Sequence, residues 1–165
     1  MKYAYYNESI PKEQRAELNE KVLYLIDSNT AEENGITCED MYNAYTGDGG
    51  LHGLDRKDFD NYHTYSEAKK EIENGQFFTP PKLCQYIMQS LMLSAGDTVA
   101  DLACGMGSFF NFAPSEENIY GCELDIKAFK VAHHLYPAAH IEWQDIRNYQ
   151  PGIRFDYVVG NPPFH

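Results

Sequence analysis

The stretch TVADLACGMGSF (residues 98–109) decides the fold. Its apolar first half predicts a short buried strand, and the glycines that follow predict a loop. Gly105 and Gly107 allow a positive φ and let a ligand lie close to the backbone. Asp101 falls at the carboxyl end of the strand, where ligands bind in open α/β sheets. A glycine pair alone is equally typical of an ordinary turn, so its assignment depends on the residues around it.

Strands and helices alternate over residues 76–165. A helix is predicted over 79–93, with Thr79 as its N-cap and prolines in its first turn. Its apolar face is predicted to comprise Leu83, Tyr86, Ile87 and Leu91. Further strands are predicted over 118–123, 139–143 and 155–160, and a further helix over 125–137. This alternation favours a parallel sheet with right-handed crossovers.

An acidic residue follows the glycine loop at the spacing of a nucleoside site. Glu123 comes 22 positions after Asp101, at the end of the second predicted strand, where a carboxylate can accept hydrogen bonds from ribose hydroxyls. A solvated strand-end carboxylate is the alternative. The dinucleotide fingerprint requires a third glycine where this chain has Phe110, and Pro114 interrupts the crossover helix early. We therefore interpret the region as a nucleoside-binding half and disfavour a dehydrogenase.

Residues 1–74 differ in character and predict an N-terminal helical appendage. Spacing and capping residues indicate helices over 11–27, 37–45 and 65–75, the last ended by Gly75. A glycine-rich turn is predicted over 46–53. The region matches no motif of known chemistry, and we predict a domain boundary between it and residues 75–165.

Charge and cysteine content restrict function and location. The formal net charge is −12, so any nucleic-acid substrate must be held mainly by parts outside these residues. The four cysteines form no CxxC pair and no Cys/His set with zinc spacing, which predicts free thiols in a reducing cytoplasm and no metal. No apolar run reaches the roughly 18 residues of a membrane span, and the sequence begins without the apolar core of a signal peptide.

The chain resembles the N6-adenine DNA methyltransferases, in the branch that includes the modification subunits of restriction systems. The motifs occur in the family's order: GQFFTP (75–80), DLACGMGSF (101–109), GCELD (121–125), WQDI (143–146) and NPPF (161–164). This order favours the branch whose target-recognition region follows the catalytic motif. The resemblance implies a Rossmann-like class I methyltransferase sheet with S-adenosylmethionine as cofactor.

The resemblance also implies site residues. GQFFTP would lie over the methionine part of the cofactor, and the glycine loop would surround its amino-acid moiety. Glu123 would clamp the ribose, and Asp145 would meet the amino group of the adenine ring. For Asp145 a carboxylate that caps its own loop is the alternative. The cofactor-binding residues implied in this way are Phe78, Thr79, Asp101, Ala103, Gly105, Gly107, Glu123, Leu124, Asp145, Ile146 and Asn161.

The tetrapeptide NPPF suits chemistry on an amine whose lone pair is delocalised into a ring. The side-chain oxygen of Asn161 and the carbonyl of Pro162 can accept both N–H groups of adenine N6 and draw the nitrogen toward tetrahedral geometry. Pro163 has a fixed φ and helps to hold that carbonyl, and Phe164 can stack on a base turned out of the duplex. We predict these four residues to be catalytic. A rigid turn that leaves a strand is the alternative for this motif alone.

The predicted sheet is truncated relative to the fold that it resembles. Its four strands, in the order 3-2-1-4, stop at the catalytic turn. We interpret the chain as a fragment of a longer methyltransferase, from a restriction-modification or mobile-element system, that acts on DNA. Completion by partner subunits is the alternative, and we expect little turnover from these residues alone. Two other functions stay open: a protein glutamine N5-methyltransferase, which uses a similar Asn-Pro-Pro-aromatic turn, and a non-catalytic module for cofactor binding or assembly.

Overall fold

The computed structural model describes residues 1–6, 12–44, 47–48, 54, 56–73 and 76–163. The helices in this part are α1 (Lys12–Ser28), α2 (Cys38–Ala44), α3 (Tyr62–Glu73), α4 (Pro81–Ser90) and α5 (Ile126–Leu135). The strands are β1 (Gly47–Asp48), β2 (Phe77–Phe78), β3 (Val99–Asp101), β4 (Ile119–Glu123), β5 (His140–Trp143) and β6 (Tyr157–Val158). The predicted glycine-rich turn falls largely outside the described residues, as do the predicted helix stop Gly75 and the predicted catalytic Phe164.

The main sheet is parallel, and its strands lie in the order β5-β4-β3-β6. The predicted order 3-2-1-4 is therefore confirmed. Strand β3 is central and buried throughout, because β4 and β6 pair with its two edges. Because β3, β4 and β6 run parallel, their carboxyl ends lie at the same edge of the sheet. This edge is where an open α/β sheet binds its ligands.

The connection from β3 to β4 carries 3-10 turns over Phe110–Phe112 and Glu116–Asn118 where an α-helix would be usual. The beginning of the chain packs at this place. The buried Asn111 side chain accepts hydrogen bonds from the backbone N–H groups of Lys2 (3.0 Å) and Tyr3 (2.6 Å) and donates one to the Tyr3 carbonyl (2.9 Å). An amide can replace a neighbouring backbone in this way because it offers both a donor and an acceptor.

The N-terminal helices share a hydrophobic core with the sheet. Val22 and Leu25 of α1 and Met41 of α2 are buried in the same cluster as Val131 and Leu135 of α5. In addition, β1 pairs antiparallel with β2, with Gly47 opposite Phe78. The region predicted as an appendage is thus joined to the main sheet by side-chain packing, and it pairs with the β2 segment in a separate two-stranded sheet. The domain boundary between residues 74 and 75 stays a prediction.

Helix α4 corrects two sequence predictions. Thr79 is not its N-cap: Pro80 occupies that position, and no side chain caps the helix. The predicted apolar face was wrong for Leu83 and Tyr86, which are 48% and 74% exposed, whereas Cys84 and Met88 are buried. Cysteine behaves as a small apolar residue in a core, and the stripe that packs inward comprises Cys84 and Met88 with the partly buried Ile87 and Leu91. Among the described residues, no helix is long and apolar enough to cross a bilayer.

Candidate cofactor site

A cavity of about 450 Å³ opens at the carboxyl ends of the strands. Its volume is within the range of sites for small molecules and cofactors. The structure brings most of the predicted site residues to its wall: Phe78, Ala103, Gly105, Glu123, Leu124, Asp145, Ile146, Asn161, Pro162 and Pro163. Segments that are far apart in the sequence therefore form one site.

The glycine loop is held by its own neighbours. Gly105 has a φ of +56°, and a Cβ at this position would lie 3.1 Å from the ring of Phe78. Its backbone N–H donates a hydrogen bond to Glu123 Oε2 over 2.7 Å. A glycine suits residue 105 because a side chain there would strain the left-handed backbone and crowd the ring of Phe78.

Gly107 serves the core of the protein and does not line the cavity. Its φ is +87°, and a Cβ would lie 2.6 Å from Tyr136 and 2.8 Å from Phe110. Both rings are buried and meet edge to face. The structure therefore places this predicted cofactor-binding residue against the helix side of the sheet.

Glu123 stands at the end of β4 with both carboxylate oxygens engaged. Oε2 accepts from Gly105 N–H and Oε1 from Asp125 N–H, each over 2.7 Å. Each oxygen keeps a further lone pair for a ligand hydroxyl. Burial raises the pKa of Glu123 above its ordinary value, and these backbone N–H groups oppose the rise.

Asp101 is the most deeply buried acid of the site, with 2% of its surface exposed. Its Oδ1 accepts a hydrogen bond from Ala103 N–H over 3.1 Å. Burial raises the pKa of Asp101 to about 7, the Ala103 N–H opposes the rise, and the charge of Glu123 adds to it. The backbone of Gly160 lies directly against this carboxylate, since a Cβ on Gly160 would be 2.7 Å from Oδ1.

Asp101 and Thr79 line a second cavity of about 20 Å³ beside the larger one. Ser108 and Asn161 also contribute to its wall. Thr79 is 5% exposed, and its hydroxyl accepts a hydrogen bond from Asn161 Nδ2 over 3.4 Å. The turn over residues 161–163 is therefore linked to the segment before α4, a contact that spacing along the sequence does not reveal.

Asp145 lines the larger cavity and also caps its own loop. Its Oδ1 accepts from Arg147 N–H over 2.9 Å, and the Arg147 guanidinium donates to both carboxylate oxygens. The hydrogen bonds from Arg147 lower the pKa of Asp145 to about 2. Capping, the alternative considered from the sequence, is thus present in the structure, and contact with a ligand through the same carboxylate stays a prediction.

Two exposed apolar side chains line the cavity near Asp145. Leu124 follows β4 and Ile146 follows Asp145. The indole N–H of Trp143 donates to the Leu124 carbonyl over 2.9 Å and so fixes the backbone at that point. Apolar surfaces of this kind suit the faces of a flat ring.

Sequence reasoning missed several residues of the cavity wall: Gln76, Phe77, Leu102 and Gln144. Gln76 is the most informative of them, because its amide nitrogen donates a hydrogen bond to Asp125, the N-cap of α5. The signal for Gln76 was its place inside GQFFTP. Its partner could not be read from the sequence, because 49 positions separate the two residues.

Comparisons with known proteins identify the family of the chain. The profile of the family described as N-6 DNA Methylase matches residues 61–165. The methylase subunit of the type I restriction enzyme MjaIX from Methanocaldococcus jannaschii is 31% identical over 118 residues, which cover 61% of this chain and 21% of that protein. The type II methyltransferase M.CvrRI of Paramecium bursaria Chlorella virus XZ-6E is 24% identical over 106 residues, covering 62% of this chain and 28% of that protein.

A solved structure shares the fold. It is described as the modification subunit of a type I restriction enzyme from Vibrio vulnificus YJ016, and it superposes with a TM-score of 0.50 at 20% identity over 86% of this chain and 33% of that one. The chain therefore spans about a fifth to a third of the length of these relatives.

Proposed function

Because the chain belongs to the N-6 DNA methylase family, we propose that it forms the cofactor-binding and catalytic-turn part of a methyltransferase that modifies N6 of adenine in DNA. The observation that carries this proposal is the single cavity whose wall combines the glycine loop, Glu123 and the Asn161-Pro162-Pro163 turn. A type I restriction methylase subunit is among its relatives, which supports a role in restriction-modification.

The residues present fit S-adenosylmethionine as the cofactor. Glu123 keeps lone pairs for ribose hydroxyls, the exposed Leu124 and Ile146 suit the faces of an adenine ring, and the buried carboxylate of Asp101 suits a cationic group near the glycine loop. The cofactor, when bound, supplies an electrophilic methyl group on a sulfonium. The other proposed contacts are those of Phe78, Ala103, Gly105 and Asp145, which line the same cavity, whereas Gly107 is turned to the core.

The chain itself contributes acceptors for the substrate amine. Asn161 Oδ1 and the Pro162 carbonyl would accept the two N–H groups of adenine N6 and thereby free its lone pair. Pro163 has no N–H and a fixed φ, so the carbonyl before it keeps its direction. Such preorganised acceptors stabilise the charge that develops on the amine without reorganisation during the reaction. Phe164, outside the described residues, completes the proposed catalytic set as the stacking residue.

DNA must be held largely by other parts of the enzyme. The net charge of −12 opposes contact with phosphates, and the chain covers only part of its relatives. We therefore propose that further polypeptide, either continuous with the chain or in other subunits, supplies target recognition. We also propose a cytoplasmic location, where the four free cysteines would stay reduced.

The test is Asn161→Ala in the complete enzyme that contains these residues. We expect methyl incorporation into adenine-containing DNA to fall below detection, while the Kd for S-adenosylmethionine, measured by calorimetry, stays close to that of the wild type. Asn148→Ala, which alters an exposed asparagine of a 3-10 turn, is the matched control and should methylate normally. Unchanged methylation by Asn161→Ala would favour a non-catalytic module. Methylation of a protein glutamine with none in DNA would identify the N5-methyltransferase alternative.

A further inference from the structure

We propose that Thr79 is a positioning residue that fixes the side-chain amide of Asn161 with its oxygen toward the substrate amine. This inference rests on the function proposed above and deepens it. The structure gives the contact directly, since Asn161 Nδ2 donates to Thr79 Oγ1 over 3.4 Å, across 82 positions of sequence.

The amide needs such a partner because its two ends have nearly the same shape. The oxygen accepts hydrogen bonds, whereas the nitrogen only donates them. If the amide turned by 180°, its NH₂ group would face the NH₂ group of adenine, and the amine would keep its delocalised lone pair. Packing alone cannot distinguish the two orientations, so a hydrogen bond to one end must do so.

The support for the Thr79 hydroxyl is rigid. Thr79 lies between Phe78, which pairs with β1, and the prolines at positions 80 and 81. Its carbonyl accepts a hydrogen bond from Cys84 Sγ in α4 over 3.7 Å. Two successive prolines restrict the backbone after Thr79, so the backbone that carries the hydroxyl is held in place.

A hydroxyl can also donate, and the neighbouring carboxylate decides which role it takes. Thr79 and Asp101 line the same cavity of about 20 Å³, a volume that accommodates one water molecule. A carboxyl group offers acceptor lone pairs in either protonation state. The Asp101 carboxyl group can therefore serve as the acceptor on the Thr79 proton's side of this cavity, which leaves an Oγ1 lone pair for Asn161 Nδ2, the direction that the contact in the structure has.

The same carboxylate supports the backbone next to Asn161. Gly160 leaves no room for a side chain beside Asp101 Oδ1, because a Cβ would lie 2.7 Å away. Asp101 thus contacts the backbone of residue 160, while Thr79 contacts the side chain of residue 161. The two residues hold the proposed catalytic turn where it borders the smaller cavity.

The experiment compares Thr79→Val with Thr79→Ser in the complete enzyme. Valine keeps the branched shape and removes the hydroxyl, whereas serine keeps the hydroxyl. We expect Thr79→Val to slow single-turnover methylation of adenine about 10²-fold at saturating S-adenosylmethionine, the scale of a misplaced catalytic group. The cofactor Kd should stay within about threefold, and Thr79→Ser should restore most of the rate.

Two results would overturn the proposal. A raised cofactor Kd with an unchanged rate at saturation would assign Thr79 to the cofactor, and an unchanged rate together with an unchanged Kd would remove any role. If the wild-type enzyme transfers no methyl group to adenine, the proposed function is wrong. A second measurement, on the 165-residue chain, then tests by itself whether Thr79 orients the Asn161 amide. In ¹⁵N spectra, Thr79→Val should shift the signals of the Asn161 side-chain NH₂ group, and Thr79→Ser should leave them unchanged. If neither variant shifts these signals, the inference is contradicted.

Discussion

The buried carboxyl group of Asp101 makes the stability of the folded protein depend on pH. Burial raises the pKa of Asp101 to about 7, so between roughly pH 4 and pH 7 the folded protein holds a proton that the unfolded chain has lost. The folded state binds more protons in this window, and its stability therefore falls as pH rises through it. The residue is retained at a cost to stability, which is typical of acids placed for function.

The first prediction is that Asp101→Asn stabilises the protein at high pH. The amide cannot ionise, so at pH 8 the free energy of unfolding should rise by as much as about 4 kcal/mol over the wild type. At pH 4, where Asp101 is largely protonated, the two proteins should differ little. Urea unfolding of both between pH 4 and pH 8 measures the difference, in which the other carboxylates cancel. A constant difference across this range would contradict the burial of an ionised Asp101.

At the scale of single residues, the sequence predicted which residues line the site better than it predicted their hydrogen-bond partners. Glu123 and Asn161 were predicted from the end of a strand and from a motif, and the structure brings both to the cavity. The salt bridge of Arg147 to Asp145 and the contact of Asn161 with Thr79 depend on side-chain direction and on distant segments. A linear pattern carries no information about either.

At the scale of elements, the glycine loop contains one glycine turned to the site and one turned to the core. Gly107→Ala should place a methyl group against Tyr136 and Phe110 on a left-handed backbone. We expect a loss of about 3 kcal/mol in the free energy of unfolding, from overpacking and from the positive φ together. The Tm measured by circular dichroism should fall accordingly.

Gly152→Ala is the matched control for this variant. Gly152 has a φ of +71°, yet a Cβ would meet nothing within 4 Å. Only the backbone cost applies, about 1 kcal/mol. Equal losses for the two variants would show that the contact with the aromatic rings contributes nothing.

Helix α4 illustrates the limit of periodicity for short elements. The helix was predicted, and Ile87 and Leu91 pack inward as expected, but Tyr86 was assigned to the apolar face by its chemical type. With 10 residues there are too few turns for the pattern to outweigh such an error. Strand order was easier to predict, because alternating strands and crossovers restrict the arrangements that are allowed.

At the scale of the whole molecule, the shared core predicts a single unfolding transition. The N-terminal helices pack on α5, which in turn covers the sheet. Trp143 of β5 is the only tryptophan in the sequence, so its fluorescence reports on the sheet, whereas circular dichroism at 222 nm reports on all helices. We expect the two urea curves to coincide.

The contrasting result would be a loss of the circular dichroism signal at a lower urea concentration than the change in Trp143 fluorescence. It would mean that residues 1–74 unfold as a separate domain, in agreement with the boundary predicted from the sequence. Asn111→Ala provides a companion measurement, because it removes the side chain that binds Lys2 and Tyr3. In a cooperative molecule this variant should lower the urea midpoint by the same amount in the fluorescence curve and in the circular dichroism curve.

The anchoring of Lys2 and Tyr3 also has a consequence for biosynthesis. Lys2 Nζ donates to the Leu135 carbonyl, 133 positions further along the chain. At the usual rates of translation, Lys2 waits on the order of ten seconds after its synthesis for Leu135 to be made. During that time the apolar faces of α1 and α2 have no α5 to cover them. The core that these helices share with α5 can therefore close only after residues 126–135 have been made.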